Sequence, residues 1–174
     1  MTKQADWPDN PFWDFSLDFY SRDGVPPLLL KFQEDWQADV NLLLYCCWAG
    51  VTGATRFTES EMVAVCQVVE CWQSEVVMPL RTIRKSLKKD TRGGPGPWAG
   101  EVRDSVQQAE LMAEQLQQLM LYSSAPLSLD EERDQDDRCR ATVSNLILYM
   151  TQVAGEPDPR QMDAINHLVE ALFD

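Results

Sequence analysis

The chain has 174 residues, 44% of them hydrophobic and 25% charged, which is enough to build a self-supporting core without disulfide or metal staples. Its formal charge of -13 excludes sequence-independent binding to DNA or anionic lipid over the whole surface, because both are polyanions. The longest apolar run, Leu42 to Val51, covers ten residues against the roughly 20 of a spanning helix, and Met1 to Pro11 has no apolar stretch behind a basic flank, so neither membrane insertion nor a secretory leader is expected.

Apolar residues recur at helical spacing throughout, and no segment alternates as a strand would. Asn10 and Pro11 form a helix start, a side-chain cap followed by proline in the first turn, ahead of Phe12, Phe15 and Phe19. Pro26 and Pro27 open a second helix through Leu28 to Trp36. Asp39 caps a third, Val40 to Ala49, stopped by Gly50. This third helix is apolar nearly all round, so other helices must surround it. Thr58 and Glu61 make a capping box for a long fourth helix, which Pro79 kinks or breaks. The chain continues as Leu80 to Lys89, and Gly93 to Pro97 forms a linker. Val102, Val106, Ala109, Ala113, Leu116 and Met120 then mark a helix with a Gln-rich outer face. A loop from Ser123 to Asp134 precedes a helix with Val143, Leu146, Ile147, Met150 and Val153, and Asp158-Pro159 opens the last one. The expected fold is all-α: a single domain over residues 1–174, a bundle of about seven helices around the buried Val40 to Ala49, with an internal Gly/Pro linker at 93–97.

The segments Phe12-Trp13-Asp14-Phe15-Ser16-Leu17-Asp18-Phe19-Tyr20 and Asp39-Val40-Asn41-Leu42-Leu43-Leu44, with Trp48 behind them, resemble a family of bacterial proteins catalogued as domain of unknown function 2390. The resemblance implies a bacterial, cytoplasmic protein and brings no activity, cofactor or catalytic residue with it.

Candidate sites are few. Asp14 and Asp18 form a D-x-x-x-D, and Asp130 and Asp134 a second. Facing pairs of this kind across a helical cavity would suit magnesium-diphosphate, since magnesium takes carboxylates plus phosphate oxygens. Acids in a first turn also help a helix simply by opposing its dipole. His167 is the only histidine, so a triad would depend wholly on it. The five cysteines form no C-x-x-C pair, and Cys46 and Cys47 lie in an apolar run as core residues do; no metal site and no cofactor is expected. Of the six tryptophans, Trp7 and Trp98 stand beside prolines in loop-like stretches and the rest suit a core. Asp39 and Asn41 read as a cap and a buried amide; a polar pocket built on them would need a third group that sequence does not place.

The most informative stretch lies between Arg81 and Arg92, where six basic residues accompany one acid. On a helix Arg81, Arg84, Lys85, Lys88 and Arg92 share one face, opposite Leu80, Ile83 and Leu87. Such a segment docks by its apolar side and presents a basic stripe, either to an external acidic partner (a protein, or RNA through the stripe alone) or to the chain's own acids near Asp130 to Asp137. The function expected from sequence is therefore a non-enzymatic interaction or regulatory protein of the cytoplasm with no catalytic residue, whose protein partner is unidentified. The alternative is a small helical enzyme binding magnesium-diphosphate or a hydrophobic substrate through Asp14 and Asp18.

Overall fold

Asn10 begins the first helix by accepting the Trp13 N–H on its side chain at 3.3 Å, and α1 runs Pro11–Tyr20. The computed structural model describes residues 7–53, 56–89, 98–124 and 133–174, and every regular element among them is helical. After α1 come α2 (Val25–Asp35), α3 (Val40–Val51), α4 (Glu59–Trp72), a π-helical turn (Gln73–Val77), α5 (Met78–Lys89), α6 (Trp98–Ser124), α7 (Gln135–Ala154) and α8 (Pro159–Phe173). Because α4, the π turn and α5 follow one another without a break, the described residues form seven helical rods. None of these helices is long and apolar enough to cross a membrane. The Gly93 to Pro97 linker, Arg92 and Asp130 lie outside the described residues.

Capping chemistry sets most of the boundaries. Thr58 and Glu61 form the capping box of α4, Asp158 and Gln161 that of α8, and Asp134 caps α7 through the Asp137 N–H at 2.8 Å. The centre of the bundle is α3, in which every residue from Asn41 to Gly50 is buried. Phe12 of α1 meets Tyr45 and Trp48 of α3, each at 5.3 Å between ring centroids, and Trp48 meets Tyr122 of α6 at 5.7 Å. Leu146, Met150, Ile165 and Leu168 bring α7 and α8 into the same fully buried core.

Three boundaries or faces differ from the sequence reading. Gly50 does not stop α3. It lies inside the helix, where a Cβ would fall 1.8 Å from Thr142 Oγ1 and 2.9 Å from Thr142 Cα, so its missing side chain is what lets α7 approach. Arg138 of α7 then caps the end of α3, donating to the Val51 carbonyl at 3.0 Å. Pro79 does not end its helix, because the wide turn immediately before it accommodates the missing donor. Such a turn adds about one residue, roughly 100° of rotation, and so offsets the faces of α4 and α5.

The third difference concerns α6. Its buried face is Glu110, Ala113, Gln117, Gln118 and Leu121, whereas Val102 is 53% exposed and Ala109 is exposed as well. Gln117 and Gln118, expected outside, are turned inward, because polar groups on α3 and α5 bind them and their acidic neighbours, while Gln107 and Gln108 are exposed.

Candidate functional site: a cavity with a polar floor

Asp39 caps α3, accepting the Asn41 N–H on Oδ1 at 2.8 Å. Its second oxygen accepts from Gln117 Nε2 at 2.5 Å. Gln117 Oε1 in turn accepts from Asn41 Nδ2 at 2.7 Å, and Asn41 Oδ1 accepts from Gln118 Nε2 at 2.8 Å. From α7 the Tyr149 hydroxyl accepts the backbone N–H of Asp39 at 2.7 Å. All these side chains are buried.

The direction of this chain follows from its first member. An ionised carboxylate only accepts, so Gln117 must present its NH2 to Asp39 and its oxygen to Asn41. Asn41 then presents oxygen to Gln118, which is left with Oε1 at the free end. That oxygen has no hydrogen-bond partner although Gln118 is 2% exposed. An unpaired buried acceptor of this kind costs about 1–3 kcal/mol.

Beside the amides lies an ion-pair cluster between α5 and α6. Arg81 donates from Nε to Glu110 at 3.1 Å and from its terminal nitrogen to Glu114 at 2.6 Å. Arg84 grips both oxygens of Glu110, a bidentate pairing. Burial raises the Glu110 carboxyl, but its hydrogen bonds to Arg84 and Arg81 outweigh this and hold it below the usual carboxylate range. Glu114 behaves oppositely: burial pushes it up, and Arg81 only partly offsets that. Asp39 is likewise raised by burial against the pull of its hydrogen bonds to Asn41 and Gln117. Burial, then the charge of Glu114, raises the Tyr20 hydroxyl.

These groups floor a cavity of about 560 Å³ between α1, α2, α3, α5 and α6, within the usual size of small-molecule sites. Its mouth is apolar. Leu17, Tyr20, Leu30 and Leu111 stand there at 40–52% exposure, four of the large hydrophobic side chains that the surface leaves uncovered. A site with charge and amides at the bottom and apolar side chains at the opening matches an amphipathic molecule.

The basic stripe divides in this arrangement. Arg81 and Arg84 turn toward α6, while Ile83, expected on the docking side, is 47% exposed. Lys85 is exposed and reaches Glu34 at 3.5 Å, and Lys88 is exposed. The acids that receive the arginines are Glu110 and Glu114; of the Asp130 to Asp137 tract, residues 130–132 lie outside the described residues, Asp134 caps α7 and Asp137 pairs with Arg140. Asp14 and Asp18 are both exposed, Asp18 pairs with Arg22 at 3.3 Å, and neither lines the cavity. His167 is exposed beside Asp163 on α8. Of the sequence candidates, the structure thus brings together Arg81, Arg84, Asp39 and Asn41. Sequence reasoning missed Glu110, Glu114, Gln117 and Gln118. Their spacing of four, seven and eight residues puts them on one helical face, and that polar face was the available signal.

Fold and site define a class: a helical bundle built around one helix buried from Asn41 to Gly50, with a polar-floored cavity at that helix's beginning. The chain belongs to the family described as protein of unknown function (DUF2390), whose model matches residues 11–121. That stretch contains Asp39, Asn41, Arg81, Arg84, Glu110, Glu114, Gln117 and Gln118, whereas Tyr149 lies beyond it. No curated protein and no solved structure matches the chain.

Proposed function

We propose that this is a non-enzymatic interaction or regulatory protein of the bacterial cytoplasm, and that it acts by binding a small amphipathic molecule in the cavity between α1, α2, α3, α5 and α6. The observation that carries the reading is the buried, partnerless Gln118 Oε1 at the end of an otherwise satisfied hydrogen-bond chain, whose members Asp39, Asn41 and Gln118 line that cavity. An acidic protein or RNA docking on α5 would meet Lys85 and Lys88, because Arg81 and Arg84 are engaged by Glu110 and Glu114. The cavity is therefore the stronger recognition element. A magnesium-diphosphate enzyme would need Asp14 and Asp18 at a cavity, and both are exposed away from this one.

The test is a thermal-shift screen of small amphiphiles against the protein and its Leu17→Arg and Leu111→Arg variants. Both positions are about half exposed, so the fold should tolerate them while the mouth becomes charged. Compounds that stabilise the parent should lose their effect in both variants. A screen without stabilising compounds, or with compounds indifferent to the mouth, would reject the reading.

A further inference from the structure

Resting on the cavity reading, the geometry points to a ligand class. We propose that the ligand carries a protonated amine at one end and an apolar body at the other, the amine lying between Gln118 Oε1 and the Glu114 carboxylate, the body against Leu17, Leu30 and Leu111.

Two independent features lead to this. The first is the sense of the amide chain. Starting from a carboxylate, it ends on a free acceptor of Gln118, one of the residues that line the cavity, so the missing partner must be a donor: an N–H or O–H and not another carbonyl or carboxylate oxygen. The second is the charge at the floor. Three carboxylates (Asp39, Glu110, Glu114) face two guanidiniums (Arg81, Arg84), which leaves one negative charge in excess when all are ionised. Glu110 holds both arginines, while Glu114 receives only Arg81, so the excess is greatest around Glu114. Glu114 and Gln118 stand four residues apart on α6, one turn from each other on the same face. A donor that is also a cation satisfies both at once, and a neutral hydroxyl would satisfy only Gln118. The overall charge of -13 adds a field that draws cations toward the protein and repels anionic amphiphiles.

Three probes of equal chain length separate the possibilities: n-hexylamine, hexan-1-ol and hexanoate, titrated into the full chain at pH 7 by isothermal calorimetry. Hexylamine should bind at least about tenfold more tightly than the other two, because a charge-assisted hydrogen bond contributes more than a neutral one. Glu114→Gln, which keeps an acceptor for Arg81, should cut hexylamine affinity about tenfold and leave hexan-1-ol unchanged. Hexanoate or hexan-1-ol binding as tightly as the amine would overturn the amine assignment while the cavity reading stood. If none of the three binds at millimolar concentration, or if Leu111→Arg leaves amine binding intact, the cavity reading falls and the assignment with it. The comparison of probes on the parent protein decides the matter even where a variant fails to fold.

Discussion

Gly50→Ala sets two known effects against each other. In a helix interior alanine is favoured over glycine by up to about 1 kcal/mol, so an open site would gain stability. Here the new methyl would sit 1.8 Å from Thr142 Oγ1, 2.8 Å from Thr142 Cβ and 2.9 Å from Thr142 Cα. A rotamer change could move the hydroxyl, but the α-carbon of Thr142 moves only with its backbone, so α3 and α7 must separate along the seam that centres the bundle. Overpacking of this kind costs about 1–3 kcal/mol, and a clash with backbone places it at the upper end. The net loss is then about 2 kcal/mol, which for a chain of this length lowers the melting temperature by about 4–8 °C. Thermal unfolding followed by circular dichroism measures it. Gly100→Ala is the control, since a Cβ there meets nothing within 4 Å and should leave stability equal or raised. A Gly50→Ala protein as stable as its parent would refute the close approach of α3 and α7.

Leu44→Asp should unfold the protein, a loss of about 4 kcal/mol or more, because a carboxylate would replace a leucine 3% exposed in a helix with no polar face; loss of the helical circular dichroism signal is the readout. Glu110→Gln should lower stability at neutral pH. Because the folded-state carboxyl of Glu110 is held below its ordinary value, its contribution is present above that value and lost as pH falls through the folded one, so parent and variant curves should converge in acid. Asp39→Asn should do the opposite: the ionised Asp39 is unfavourable in the fold, asparagine also caps helices, and the variant should match or exceed the parent at pH 7, its advantage shrinking as pH falls toward the ordinary carboxylate value. Urea melts across pH 3 to 8 test both. Arg84→Gln should destabilise by about 1–3 kcal/mol by uncoupling Glu110, whereas Lys85→Gln with Lys88→Gln should change stability by less than about 0.5 kcal/mol, each measured by chemical denaturation.

The bundle was legible where local chemistry decides. Asn10, Asp39, Thr58 and Asp158 cap the helices their sequence positions suggested, and α3 is central because a helix apolar on every side has nowhere else to go. Half of the cavity was legible too, since Asp39 and Asn41 stand out as polar residues at the mouth of an apolar helix. The other half is 76 to 78 residues away on α6, and nothing local ties it to α3. A Gln-rich face reads as solvated unless its partners are known, just as a row of cations opposite Leu80, Ile83 and Leu87 reads as an outer stripe. Each assignment is reasonable for a helix alone, and each fails only where two polar faces meet: Gln117, Gln118, Arg81 and Arg84 turn inward, whereas Gln107, Gln108, Lys85 and Lys88 are exposed.

The amide chain separates what a ligand touches from what selects it. Gln117 does not line the cavity, yet its orientation decides which end of Gln118 is left without a partner, because each amide is fixed by the one before it. Selectivity is thereby written one residue behind the wall. A change at that hidden position could exchange a free acceptor for a free donor on Gln118 without altering the volume or contour of the cavity, so relatives with identical wall residues could favour opposite ligands.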